Sequence, residues 1–187
     1  MSLTNNALDN PFWRFSLAVY GAEGVSAECL NLQERFGIDV NLLLFSAYLG
    51  AVEGLKLDGQ HLAEAAEVVR HLHAEIVRPL RQARRGLKVV TGSEAVVKEA
   101  QAAYAKVKAV ELQAEQMEQA VLWAWLQSHR AECPSAQADL ALICNLRSLL
   151  NKYHDAGALA AEPDRMLGGF IRATRKTAGL PASDRAS

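Results

Sequence analysis

An all-α fold follows from three features of this 187-residue chain. Ala and Leu are plentiful and β-branched runs are scarce, a composition that favours helices. Gly and Pro fall mostly at punctuation points between segments, and within the segments apolar residues recur at three- and four-residue steps. The length suits one well-buried domain, and a second independent core is not expected. The expectation is a single-domain helical bundle of about six to seven helices over residues 1–176, with a long antiparallel helical hairpin. The small, polar end TAGLPASDRAS, residues 177–187, is expected to be disordered.

Asn10-Pro11 reads as an N-cap followed by proline at the first helical position, opening FWRFSLAVY, which Gly21 and Gly24 end. Ser26 is placed to cap AECLNLQERF, which stops at Gly37. Asp39 then caps VNLLLFSAYLGAVEG, apolar nearly all round and so expected at the centre of the fold. Its apolar run, residues 40–52, rises only about 20 Å as a helix against about 30 Å of bilayer hydrocarbon, so no membrane role is expected. Gly50 and Gly54, four residues apart, let another helix come close.

A longer helix is expected from about Gly59 to Lys88. Val69, Leu72, Ile76, Leu80, Ala83 and Leu87 make one continuous apolar stripe along it. Pro79 lies inside that helix and predicts a kink or a break. Thr91-Gly-Ser-Glu94 resembles a capping box and starts the longest helix, to about His129. Val96, Ala100, Ala103, Val107, Val110, Ala114, Met117, Val121 and Ala124 give it a coiled-coil-like seam of largely small residues. The short link at 89–92 makes the two long helices an antiparallel hairpin, although the seam would also serve a homodimer, leaving monomer and homodimer both open. Pro134-Ser135 opens a sixth helix through Leu140, Ile143, Leu146, Leu150 and Tyr153, ending near Gly157, and Glu162-Pro163 opens a last one through Arg175. No strand and no internal repeat is expected.

Chemical motifs are scarce. Cys29, Cys133 and Cys144 form no CxxC pair, and the start MSLTNNALDNPFW has no signal-peptide pattern, so the cysteines read as packing residues in a reduced, cytoplasmic setting. Phosphate-loop, dinucleotide, nucleophile-elbow and HExxH patterns are absent, and Gly168-Gly169 has no strand before it. His61, Glu64, Glu67, His71 and His73 cluster in HLAEAAEVVRHLH, but His71 and His73 lie about 200° apart on a helix and cannot chelate one ion from it. No Glu-x-x-His of the di-iron type occurs, and a solvated helix face with Glu–Arg and Glu–His pairs is the preferred reading. No catalytic residue, metal or cofactor is assigned.

The charge distribution is more pointed. The chain has a formal net charge of −1, yet residues 70–88 hold six Lys/Arg against Glu75 alone, and residues 1–60 hold three basic and seven acidic side chains. On a regular helix Arg78, Arg81, Arg85 and Lys88 fall within about an 80° sector that Arg70 extends upstream and Arg84 flanks, opposite the apolar stripe. Favourable placement near a helix C-terminus accounts for Arg84, Arg85 and Lys88 but not for Arg70 or Arg78. Internal pairing with the acidic N-terminal helices competes with a binding face, and arginine over lysine favours planar recognition of phosphate or carboxylate.

Asn10-Pro11-Phe12-Trp13, Ser16 to Tyr20, Asp39-Val40-Asn41-Leu42-Leu43-Leu44, and Arg78-Pro-Leu-Arg81 with Arg84-Arg85 and Lys88 also carry a resemblance. Over residues 10–88 the chain resembles a small family of proteobacterial conserved hypothetical proteins defined only as a domain of unknown function. The resemblance implies a bacterial, cytoplasmic, helical protein and brings no catalytic residue with it.

The sequence thus favours a non-enzymatic interaction or adaptor protein whose basic stripe, Arg70, Arg78, Arg81, Arg85 and Lys88, docks an acidic protein surface. Nucleic acid is less favoured, because the net charge is near neutral and no aromatic residue interleaves the stripe to stack bases. The alternative is a small-molecule enzyme or binding protein whose arginines hold a phosphate or carboxylate in an inter-helix pocket. The two differ in geometry: a pocket draws one or two arginines inward beside His71 or Trp13, and a docking face leaves them on a convex surface.

Overall fold

Local signals start most of the helices. In the computed structural model, which describes residues 7–153 and 164–181, Asn10 caps α1 (Pro11–Tyr20) by accepting the Trp13 amide at 2.8 Å. Helix α2 (Val25–Phe36) begins one residue before the expected cap, because Gly24, at φ 79°, turns the chain into it and Ser26 falls within its first turn. Asp39 caps α3 (Val40–Ala51), accepting the amides of Asn41 and Leu42 at 2.9 and 3.4 Å. Helix α4 (Gly59–Leu72) continues without a break through a π-helical turn, His73–Val77, into α5 (Arg78–Lys88). Helix α6 spans Glu94–His129, α7 Ala138–Lys152, and α8 Asp164–Ala178.

Other boundaries depart from expectation as well. Ser93 is the N-cap of α6, but its side chain makes no capping bond, so the capping box does not form. Helix α7 starts at Ala138, because Pro134–Ala136 pair instead with the chain beyond α3: Lys56 donates to the Pro134 carbonyl and Ala136 to that of Gly54, both at 2.8 Å. Its expected end near Gly157 and the Glu162-Pro163 start lie outside the described residues, as do residues 182–187 of the expected tail. Within the described part, α8 runs past Arg175 to Ala178, Gly179 closes it at φ 70°, and Leu180 packs against the core.

The described residues are helical, with a single isolated bridge between Leu55 and Ser135, and the fold class is all-α. Every residue of α3 is buried; α1, α6, α7 and α8 pack against it, and side chains from α2 and α4 join the same hydrophobic core. Gly50 lets α7 press backbone to backbone, since an added Cβ would lie 2.4 Å from the Cα and N of Leu142. Gly54 does different work, turning the chain at φ 63°. Asn145, fully buried on α7, ties the returning chain down: its Oδ1 accepts from the Leu57 amide at 2.7 Å, and its Nδ2 donates to the carbonyls of Leu55 and Ser46 at 2.8 and 3.1 Å. Glu28 of α2 reaches into a kink of α8 at Leu167 and accepts from the amides of Gly169 and Phe170, so Gly169 serves close approach, as an added Cβ would strike that carboxylate.

Helices α4–α5 and α6 form the expected antiparallel hairpin, and α5 buries none of its residues fully. This places α3, the π turn and the middle of α6 side by side. None of the described helices is long and apolar enough to cross a membrane.

Candidate functional site

The site begins with Pro79. A proline there cannot donate to the Glu75 carbonyl, and its ring crowds that turn. The helix neither breaks nor simply kinks; it widens one turn upstream, so that the Arg78 amide donates to His73, five residues back. The wide turn absorbs one extra residue. The buried face passes from Leu62, Ala65 and Val69 to Val77 and on towards Arg81 and Arg84, instead of to Ile76, Leu80 and Ala83. The continuous apolar stripe expected on this helix is therefore interrupted: Ile76 is 39% exposed and Ala83 lies in solvent.

Helix α6 answers this shift. Ala100 and Ala114 of its expected seam are buried, but Val96, Val110, Met117 and Val121 are exposed, and Glu111, Glu118, Gln119, Leu122, Trp125 and Leu126 face inward instead. The inward face is partly acidic because its partner is basic. Arg81 Nε lies 3.3 Å from Glu111 Oε1 and its Nη2 2.6 Å from Glu115 Oε1. Arg84 grips both oxygens of Glu111 and lies over the Tyr104 ring at 6.0 Å from its centroid. The Glu111 carboxylate beside Arg84 raises the guanidinium's pKa, while burial, opposed by Arg81, raises that of Glu115.

Arg81 is thus no surface cation; its side chain is 11% exposed. Reversing it, Arg81→Glu, sets three carboxylates together and is expected to cost about 2 kcal/mol, less than the roughly 3–5 of a fully buried pair, because Glu115 keeps 26% exposure. Arg85→Glu, at the exposed 3.2 Å pair with Glu34, is expected to cost less than about 0.5 kcal/mol. Urea melts of the two variants test the contrast.

Beside these pairs, three polar residues converge from separate elements. Asp39 uses Oδ1 to cap α3, which leaves Oδ2 facing His73 Nδ1 at 3.1 Å. Glu118, on α6 with 0% exposure, brings Oε1 to 3.4 Å from the same nitrogen. Neither contact has hydrogen-bond geometry, and His73 Nδ1 and both Glu118 oxygens are buried without a hydrogen-bond partner. Burial pushes the Glu118 carboxyl up to about 7, with the charge of Asp39 adding to the shift and His73 opposing it. Burial works against a charged His73, but the two carboxylates outweigh it, and its pKa is raised. Around them, the Asp39 amide donates to the Tyr153 hydroxyl at 3.1 Å, and Gln119 donates to Asn41 at 2.8 Å.

Asp39 and His73 lie at one wall of a cavity of about 720 Å³ bounded by the end of α2, the start of α3, the α4–α5 helix and the end of α7. Of the basic stripe, Arg70, Arg78, Arg81 and Arg85 line this cavity and Lys88 does not. Lys152 and Tyr153 line it from α7. Arg70 is engaged with Glu67 at 2.9 Å and Arg85 with Glu34, while Arg78 and Lys152 make no ion pair among the described residues. Among the described residues the histidine that lines the cavity is His73, and neither His71 nor Trp13 does. His61 pairs with Asp58 at 2.9 Å and His71 is exposed, so the His61, Glu64, Glu67 and His71 set does not converge. Cys29, Cys133 and Cys144 are unbridged, and burial, with Glu28 adding, pushes the Cys29 thiol up to about 12, a packing residue's behaviour.

Comparison with known proteins adds one finding. The family model described as "Protein of unknown function (DUF2390)" matches residues 11–122. The chain belongs to that family. The DUF2390 match takes in α1 to α5 and most of α6, including Asp39, His73, Arg81 and Glu118, and stops before α7, which supplies Lys152 and Tyr153. Neither a curated protein nor a solved structure matches the chain.

Asp39, Glu118, Lys152 and Tyr153 were not among the residues singled out as a site by sequence. Glu111, Glu115 and Glu118, at steps of four and three on one face of α6, are the usable signal, because they share a face opposite a run of arginines.

Proposed function

We propose that this protein binds a small molecule carrying phosphate or carboxylate groups in the cleft between α2, α3, the α4–α5 helix and α7. The single observation that carries this reading is convergence: Arg70, Arg78, Arg81 and Arg85 line one concavity instead of a convex face. That arrangement supports the pocket alternative over the adaptor role favoured by sequence alone. Arg78 and Lys152, lacking ion pairs among the described residues, are the cations with charge to spare for a ligand. Arg81, held by Glu111 and Glu115, offers a fixed guanidinium edge, and the fork geometry of arginine suits a planar or tetrahedral anion. A cavity of about 720 Å³ has the size of a metabolite site. The reading also keeps the bacterial, cytoplasmic setting that the resemblance implies.

The test is a thermal-shift and calorimetric panel of phosphate, pyrophosphate, citrate and a nucleoside diphosphate against the full chain. A true ligand at 100 times its Kd is expected to stabilise the fold by about 2.7 kcal/mol. The double variant Arg78→Ala, Lys152→Ala is expected to keep the unliganded midpoint and lose that response. If no small anion binds, while the same double variant loses association with an acidic protein, the docking-face reading replaces this one.

A further inference from the structure

We propose that Asp39, His73 and Glu118 form a binding site for one divalent transition-metal ion, of the Mn²⁺, Fe²⁺ or Zn²⁺ class, at the wall of the cleft. Their ligand atoms, one from each residue, all lie within 4.8 Å of one another. Metal bonds of about 2.1 Å put neighbouring ligand atoms roughly 3.0 Å apart in octahedral and 3.4 Å apart in tetrahedral geometry. The observed separations from His73 Nδ1 are 3.1 Å to Asp39 and 3.4 Å to Glu118.

The polar atoms themselves have lone pairs free for a cation. Glu118 is wholly buried, and neither of its oxygens accepts a hydrogen bond. A carboxylate left in that condition is costly unless something of opposite charge meets it. His73 is the nearest candidate, but its Nδ1 makes no hydrogen bond to either carboxylate. A divalent ion among the three would give all three residues a partner at once, and two carboxylates would balance its charge.

The support around the site has the form that metal centres use. Asp39 is oriented through its other oxygen by the Asn41 and Leu42 amides, and its own amide is bonded to Tyr153. The π turn sets the position of His73, and Gln119, next to Glu118, is fixed by Asn41. One imidazole with two carboxylates suits first-row transition metals better than calcium or magnesium, which favour all-oxygen sets. Three protein ligands leave coordination positions open, and Asp39 and His73 border the cavity, so those positions are accessible from the cleft. The ligands come from three separate elements, and for that reason this set differs from the one weighed along the α4 sequence. The site stands independently of the anion reading, and its test uses the metal alone.

The test is calorimetric titration of chelator-stripped full-length protein with Mn²⁺, Zn²⁺ and Mg²⁺, with helical circular dichroism recorded for each variant. One Mn²⁺ or Zn²⁺ per chain is expected, with Mg²⁺ weaker. Glu118→Gln and His73→Ala are expected to weaken transition-metal binding by more than about tenfold, the scale on which even outer partners of a metal site act. Absence of binding by the wild-type chain overturns the proposal, as does undiminished binding by folded Glu118→Gln. Should the variants fail to fold, Co²⁺ added to the wild type decides: visible d–d absorption that one equivalent of Zn²⁺ removes supports the site, and its absence counts against it.

Discussion

Leu43→Asp is expected to unfold the protein or to lower its thermal midpoint severely. Leu43 has no exposed surface, and the helix that carries it is buried on every side. An aspartate there would find neither solvent nor a cation. The chain would have to protonate it, at the cost of an orphaned polar group, or open α3. Because α3 packs against α1, α6, α7 and α8, local opening disperses the core rather than a single edge. The loss should exceed about 4 kcal/mol, in the tail reserved for unpaired core charges, against a total stability of about 5–15. Circular dichroism of the purified variant is sufficient. A cooperative melt near the wild-type midpoint would mean that α3 is not the centre of the fold.

Gly50→Val is expected to be almost as damaging, for a steric reason alone. A Cβ at Gly50 would sit 2.4 Å from backbone atoms of Leu142 and 2.8 Å from the carbonyl carbon of Ala141. Backbone atoms cannot swing aside as a flexible side chain would, so α3 and α7 must separate along their length. Forcing extra atoms into a packed core usually costs about 1–3 kcal/mol and occasionally more. Here the separation also pulls on the hydrogen bonds by which Asn145 of α7 holds the Ser46, Leu55 and Leu57 backbone. A loss above about 4 kcal/mol is therefore expected from denaturant melts. Gly54→Ala is the control: its penalty is a strained φ of 63° and a Cβ 3.1 Å from the Ala136 carbonyl oxygen, against 2.4 Å at Gly50, and it should cost much less. Equal losses at the two glycines would put the damage in the turn and not in the α3–α7 contact.

What could be read from the sequence is what local chemistry decides. Asn10-Pro11 and Asp39 cap their helices as their side chains dictate, since a cap needs only the next few residues. The burial of α3 could be read because its apolarity is unbroken. The failed capping box at Thr91–Glu94, by contrast, shows a motif present without its bond. Pro79 announced an irregularity but not its form, because whether a helix breaks or widens depends on what its two flanks must face. The candidate metal ligands were hidden for a related reason. Asp39 already had a local role as a cap, His73 looked like part of a solvated face, and Glu118 sat outside the expected seam. Only tertiary packing makes them neighbours. The arginine stripe was visible as a charge pattern, but half of its meaning lay in the glutamates of α6, whose burial contradicts the ordinary preference of charged residues for water.

The widened turn at His73–Val77 also bears on which changes in chain length this protein tolerates. Between Val69 and Arg81 the chain carries one residue more than a regular helix would use to join the same two faces. Shorten that stretch by one and a regular helix still delivers Arg81 and Arg84 to Glu111; what is lost is the displaced backbone that offers His73 to Asp39 and Glu118. Keep the length but iron the turn into a regular helix, and the outcome reverses, with everything downstream rotated by roughly 100°. The surplus residue thus matters to the site, and to the scaffold only through the room that the wide turn makes for Pro79, as a retained insertion would.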